Sequence, residues 1–232
     1  MQKRKAVVLL SGGIDSATCC AIAKKEGFQV SALTFEYGQK HLIEVQRAQA
    51  LGKALGVEQH VVMKLDLASL EGSALTGAGK IPHGREDPTK CGIPPTYVPA
   101  RNTIFLALAL AFAEAKGMEA IYVGVNCVDF SGYPDCSPEF LEAFRQVAKV
   151  GTKAGVEGRA PQIKAPLLYL TKAEIIRRAY ELGVDLCLTH SCSDPDPAGR
   201  ACGTCDSCIL RKKGFEEAGL PDPTVYAEKA NS

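Results

Sequence analysis

Apolar residues recur with two periods along this chain. Residues 6–10 (Ala-Val-Val-Leu-Leu) form a continuous apolar run, the pattern of a strand buried on both faces. A Gly-containing turn over residues 11–15 follows, then a helical stretch from Ser16 to about Lys25 with Gly27 as its stop. Residues 29–35 predict a second strand. Leu42, Val45, Leu51 and Leu55 then recur at helical spacing from His41 to Leu55, ahead of a third strand over 57–63. Residues 69–99 are rich in Gly and Pro and predict a long loop, and loops of that length are usually functional or mobile. Residues 102–116 are apolar nearly all round and predict a buried helix. A strand over 120–125, a loop over 126–137, a helix from Pro138 to about Lys153 and a strand over 163–168 come next. Thr171 and Glu174 have capping-box spacing and open a helix that runs to Glu181. Strand and helix alternate throughout without repeats. The expected fold is α/β, a doubly wound, mostly parallel sheet.

The 232 residues suffice for one large domain with a small appendage, here expected as 1–187 and 188–232. Lys plus Arg number 27 against 26 Asp plus Glu, and aromatics are 6% with no Trp. That balance offers neither a broad basic surface nor an aromatic stacking platform for nucleic acid. Only residues 6–10 are apolar after the basic start, too few for the core of a signal peptide, and the run 104–113 is half a bilayer span. The expectation is a cytoplasmic protein with no membrane partner. In a reducing compartment, clustered cysteines suggest metal ligands or catalysts before disulfides.

Ser11-Gly12-Gly13-Ile14-Asp15-Ser16 lies between a buried strand and a helix. Two glycines let the backbone turn sharply and approach a ligand with no Cβ in the way. The helix start presents unpaired N–H groups to an anion, and Ser11 and Ser16 add hydroxyls. It is neither a Walker A loop nor a dinucleotide fingerprint, because both glycine patterns are absent. An ordinary tight turn would carry the same Gly pair.

Four of the ten cysteines form Cys192-x9-Cys202-x2-Cys205-x2-Cys208. Zinc takes four thiolates tetrahedrally, so these four are the expected ligands of one Zn²⁺ in a small C-terminal module. A redox Cys-x-x-Cys would open a helix without two further cysteines crowding it. His190 could replace one sulfur. Cys19, Cys20 and Cys187 sit in apolar contexts and predict packing. Cys127 and Cys136 fall in a candidate active-site loop.

The hexapeptide resembles the pyrophosphate loop of the N-type ATP pyrophosphatases, signature Ser-Gly-Gly-x-Asp-Ser. Further motifs narrow the choice: residues 35–41 (Phe-Glu-Tyr-Gly-Gln-Lys-His), 98–102 (Val-Pro-Ala-Arg-Asn), 129–136 (Asp-Phe-Ser-Gly-Tyr-Pro-Asp-Cys), 170–175 (Leu-Thr-Lys-Ala-Glu-Ile) and Cys202 to Arg211. Together they resemble the 7-cyano-7-deazaguanine synthase family of queuosine biosynthesis, nearly end to end. One departure is Ser137, where the family commonly has Arg.

The resemblance implies an adenine nucleotide alpha hydrolase-like sheet and a carbon–nitrogen ligase using ATP and Mg²⁺. It implies 7-carboxy-7-deazaguanine and ammonia as substrates, no direct tRNA binding, and is compatible with a homodimer. Leu10, Ser11, Gly12, Gly13, Ile14, Asp15, Ser16, Ala17, Thr18, Cys19 and Cys20 are the implied nucleotide-binding stretch. Asp15, Ser16, Lys172 and Arg101 are the catalytic candidates. Asn102, Asp129, Ser131, Gly132, Tyr133 and Asp135 are the substrate-binding candidates, because carboxylates and hydroxyls pair with purine N–H edges. Each of these could equally be a capping or turn residue. Position 2 is Gln and not a glutaminase cysteine, so free ammonium or a separate donor is the expected nitrogen source. A tRNA thiolase of the same superfamily and a zinc-knuckle nucleic-acid module, with Arg211, Lys212 and Lys213 as its basic residues, are the competing readings.

Overall fold

The computed structural model describes residues 3–88, 92–128 and 132–228. Five strands, β1 (Lys5–Leu9), β2 (Gln29–Glu36), β3 (Gln59–Lys64), β4 (Ala120–Tyr122) and β5 (Gln162–Lys164), form one sheet in the order β3-β2-β1-β4-β5. Every pairing is parallel, with Ala6 beside Val30 on one side and Ala120 on the other. Parallel strands need crossover helices, and these cover both faces. The helices are α1 (Ile14–Lys25), α2 (Ile43–Ala54), α3 (Arg101–Lys116), α4 (Pro138–Val150), α5 (Lys153–Val156), α6 (Lys172–Glu181) and α7 (Asp206–Ala218).

β1 shows why the sheet has two cores. Ala6 and Val8 pack with α1, α2 and α6 on one face, while Val7 packs with α3 and α4 on the other. β1 is also where the order of winding reverses. A crevice opens there beyond the carboxyl ends of β1 and β4, the usual ligand position in such sheets.

Several features differ from expectation. β4 stops at Tyr122, not at 125, and β5 at Lys164, not at 168, because the chain turns over 166–169. α3 is not fully buried, because its outward face carries the exposed Thr103, Ala107, Ala111 and Ala115. Alanine is an excellent helix former whose single methyl exposes little apolar area, so an apolar-looking helix can lie on the surface. α7 has no counterpart in the sequence reading, where the cysteine spacing masked a short apolar face of Leu210 and Phe215. Cys187 is exposed, not packed. No helix of the described residues is long and apolar enough to cross a membrane.

Candidate active site

The turn between β1 and α1 is held by Ser16, whose hydroxyl donates to the Gly13 carbonyl at 3.0 Å and accepts from the Ser11 amide at 3.1 Å. Gly12 has φ +90°, and a Cβ there would stand 2.5 Å from the Glu44 carbonyl oxygen. Only glycine satisfies both the conformation and the contact with α2. Gly13 caps α1 without a side chain, which leaves the first amides of the helix to an incoming anion.

Leu10, Ser11, Gly13, Ile14, Asp15 and Ser16 line a cavity of about 320 Å³. Gly12, Ala17, Thr18, Cys19 and Cys20 do not line it. After its first turn α1 enters the core: the Thr18 hydroxyl donates to the Ile14 carbonyl at 2.8 Å, and Cys19 and Cys20 are wholly buried.

Lys172 reaches the same cavity from the first residue of α6. The Thr171–Glu174 capping box, present as expected, fixes that helix start. The Lys172 ammonium lies 2.8 and 2.9 Å from the two carboxylate oxygens of Asp15.

Arg101 and Asn102 enter from the N-terminus of α3. The Asp135 carboxylate accepts from the Asn102 amide at 2.9 Å, and the Asn102 side chain donates to the Asp135 carbonyl at 3.1 Å. Asp135 is buried behind this helix start and does not line the cavity, so its position is that of a capping residue. The Arg101 guanidinium stands 5.9 Å from the centre of the Tyr37 ring. Gly132, Tyr133 and Cys136 join Arg101 and Asn102 on the wall, while Asp129 and Ser131 lie outside the described residues. Burial, with the Asp135 carboxylate next to it, pushes the Cys136 thiol up to about 12, the wrong direction for a nucleophile. Ser137 caps α4 by accepting from the Phe140 amide at 3.0 Å.

Two wall residues were not among the candidate site residues. Glu44, at the start of α2, is pushed up to about 7 by burial, against the pull of Arg101. Arg211, a basic residue only of the competing nucleic-acid reading, is 2% exposed and also lines the cavity. Lys212 and Lys213 are exposed.

Cys192, Cys202, Cys205 and Cys208 place their sulfurs within 4.8 Å of one another. Individual separations are 3.5 Å for Cys192–Cys202 and 4.0 Å for both Cys202–Cys208 and Cys192–Cys205. Tetrahedral ZnS₄ with 2.3 Å bonds has sulfurs about 3.8 Å apart, so the donor set fits Zn²⁺. The amides of Asp194 and Cys202 point at the Cys192 sulfur from 3.3 and 3.2 Å, as donors to a thiolate do. Cys205-x-x-Cys208 does open a helix, yet four sulfurs share one centre, which favours a metal over redox exchange. His190 stays outside the cluster, its imidazole 3.1 Å from the Cys192 carbonyl.

This module forms one side of the cavity and anchors the long loop across it. His83 bridges to Cys205 in antiparallel fashion, the Gly84 amide donates to the Thr204 carbonyl at 2.8 Å, and Arg85 faces Asp206 at 3.6 Å. Ile81 and Pro82 of the loop line the cavity beside Cys205, Asp206 and Ser207.

A family model described as the queuosine biosynthesis protein QueC matches residues 5–219. Over 229 residues the chain is 59% identical to the 7-cyano-7-deazaguanine synthase of Desulfatibacillum aliphaticivorans, covering 97% of this chain and 98% of that protein. The enzyme of the same name from Myxococcus xanthus (strain DK1622) is 56% identical over 228 residues, covering 98% and 99%. Among solved structures, a 4-thiouridine synthetase–RNA complex with bound ATP superposes with TM-score 0.51 at 21% identity, covering 93% of this chain and 50% of that one. The NMN synthetase of Francisella tularensis gives TM-score 0.50 at 17% identity over 94% of this chain and 79% of that one. At such identities these two share the fold alone.

Proposed function

We propose a reaction course for this chain, which belongs to the QueC family of queuosine biosynthesis proteins: it acts as an ATP-dependent carbon–nitrogen ligase that makes 7-cyano-7-deazaguanine from 7-carboxy-7-deazaguanine and ammonia. The observation that carries this reading is the Ser-Gly-Gly-x-Asp-Ser turn opening its uncapped helix start onto a cavity that Lys172 enters. The thiolase reading would need a nucleophilic cysteine, and the burial of Cys136 argues against one there.

In the first half the substrate carboxylate attacks the α-phosphorus of ATP, forming an acyl-adenylate and releasing pyrophosphate. Ammonia adds to the acyl carbon, loses a proton and displaces AMP, leaving the amide. In the second half the amide oxygen takes an adenylyl group from a second ATP with loss of pyrophosphate. Departure of AMP with loss of the remaining N–H protons leaves the nitrile. Most of this is positioning and charge neutralisation, the work of the loop amides, Ser11, Ser16 and Lys172. Both Asp15 oxygens are held by Lys172, so Mg²⁺ would enter carried on the triphosphate, as a hard cation with few protein ligands does. Zn²⁺ on the four cysteines supplies structure only.

Nitrogen arrives with three hydrogens and ends with none. A proton acceptor inside the cavity is therefore needed, and Glu44, titrating near neutrality on its wall, suits that task. Arg101 beside Tyr37 is placed to hold the carboxylate or the departing AMP. Gly132, Tyr133 and Asn102 line the portion left for the base.

Mass spectrometry of a reaction containing ATP, ammonium and 7-carboxy-7-deazaguanine tests the reading. It expects the nitrile with two AMP and two pyrophosphate per turnover. A sulfur-bearing product, or no ATP-dependent change in the acid, would refute it.

A further inference from the structure

Asp206, the first residue of α7, brings a carboxylate to the cavity wall. Arg85 of the long loop faces its Oδ1 with Nε at 3.6 Å, an ion pair beyond hydrogen-bond reach. Oδ1 is sealed from solvent, so the 14% of the side chain that stays accessible lies toward Oδ2. Among the described residues nothing donates to Oδ2. An acid in the first turn of a helix suits the dipole, which accounts for a charge here but not for an oxygen left open on a cavity. A largely buried carboxylate offers several acceptor positions, and leaving all of them unmet is costly.

The surroundings of the open oxygen select its donor. The Asp206 charge is felt at Tyr133: burial raises that phenol, and the carboxylate adds to the rise. The Tyr133 hydroxyl is 3.0 Å from that of Thr96, and both residues line the portion of the cavity left for the base. Ammonia has to meet the acyl carbon at the phosphate turn, so an ammonium ion held beside Tyr133 would be misplaced. A carboxylate only accepts, which matches the amino edge of a guanine-like base and repels its keto oxygen.

We propose that Asp206, through Oδ2, accepts from the 2-amino group of the 7-deazaguanine base and is a specificity-determining residue of this site. The proposal rests on the ligase reading for the identity of the base. Asp206 directly follows Cys205, so the cysteine module reads the substrate as well as bracing the wall. Arg85 reaches the same carboxylate, so the long loop and the base meet on one side chain. A base without the amino group would leave Oδ2 covered and unpaired, which is how such a contact discriminates.

The test compares, by calorimetry on the zinc-loaded full chain, binding of 7-carboxy-7-deazaguanine with that of its analogue lacking the 2-amino group. Wild type should prefer the parent by about tenfold or more, the loss expected of one charge-assisted hydrogen bond. In Asp206→Asn the Arg85 guanidinium selects the amide oxygen, which turns the NH₂ toward the base and sets donor against donor. That variant should bind the parent about tenfold or more weaker and the analogue within about threefold of wild type, so that the preference disappears. Its ATP affinity should not fall. An equal preference for the parent in wild type and Asp206→Asn would overturn the proposal, as would a wild type that binds both compounds alike. Loss of zinc from Asp206→Asn would overturn it too, by giving the carboxylate to the cysteine cluster. So would a raised KM for ammonium with the preference intact, which would assign Oδ2 to ammonium. If wild type shows the amino-dependent preference yet forms no nitrile, the ligase reading fails while the base contact stands. A wild type that binds neither compound would sink both.

Discussion

Lys172 and Asp15, 157 residues apart, form a two-pronged ion pair with N···O distances of 2.8 and 2.9 Å. The pair joins the phosphate turn to the capped start of α6, and both side chains are less than a quarter exposed. Its geometry does two things at once. It fixes the ammonium against the turn, and it neutralises a carboxylate that would otherwise repel the triphosphate.

The first prediction separates those roles. Asp15→Asn and Lys172→Met should each lower kcat/KM by about tenfold to a hundredfold, with Lys172→Met the worse because it leaves a carboxylate facing phosphates. The double variant should lose less than the product of the two single effects, the mark of a direct pair. Strict multiplicativity in steady-state kinetics would show that the pair does not act as a unit.

A second prediction concerns Gly214. Glycine inside a helix costs about 1 kcal/mol relative to alanine, so its presence in α7 asks for a packing reason. A Cβ at Gly214 would stand 2.4 Å from Cγ of Lys172. Gly214→Ala should therefore displace Lys172 and cut activity about tenfold, with no gain in melting temperature. Repeated in a Lys172→Gly background, where Cβ and Cγ are both gone and the Ile176 contact at 3.0 Å is what remains, the same change should have a smaller effect on stability. A gain of activity or of stability in the wild-type background would refute the contact.

The third prediction follows from the shared wall. Cys205→Ser should lose zinc, measured by elemental analysis, and lower the melting temperature by about 10 °C or more, since metal binding and local folding are linked. ATP binding should fall with it, because residues 205–211 line the cavity and the long loop pairs with Thr204 and Cys205. A metal-free protein with wild-type stability and nucleotide affinity would show that the cluster is not a zinc site.

What was legible in the sequence is what local chemistry encodes. Residues 6–10 announced β1 through unbroken apolarity, Thr171 and Glu174 announced α6, and the cysteine spacing announced a cluster whose sulfurs do converge. Residues whose meaning comes from distant partners were not legible. Glu44 belongs to no motif, and it is the fold that carries it to the cavity wall. Arg211 looked like part of a basic run, and the fold buries it against Thr189, Ser191 and Asp222. The Asp135 motif likewise gave no sign that its carboxylate accepts from the Asn102 amide.

Ser137 carries the fourth prediction. Its hydroxyl accepts from the Phe140 amide, and Pro138 at the first helical position completes a standard helix start. Ser137→Arg should therefore cost about 1 kcal/mol of stability through the lost cap. Ser137→Asp should keep it. Thermal unfolding of the two variants checks this, and an Arg variant as stable as Ser would mean that the long side chain finds a compensating contact.

The last prediction turns the placement of Glu44 into a pH dependence of stability. Burial raises its carboxyl from the ordinary range to about 7 in the folded protein, while in the unfolded chain it titrates normally. A raised carboxyl binds its proton more tightly when folded. Its stabilising contribution is thus complete below the unfolded value and is lost as pH rises through about 7. Above that, the folded state must hold a poorly solvated charge that the unfolded state solvates freely. Glu44→Gln removes the charge at nearly constant shape, so the variant should be more stable than wild type at pH 8, by about 1–2 kcal/mol allowing for solvent in the cavity. At about pH 3 the two should be equal, since that is below the unfolded value and the acid is protonated in both states. Denaturant unfolding across this range measures the difference directly. If Glu44 is the proton acceptor, the stabilised variant should also lose amide and nitrile formation, so that stability is gained and turnover lost at one position. A difference that is flat with pH, or that favours wild type at pH 8, would show that the carboxyl is ionised without penalty and is not held on the cavity wall as described.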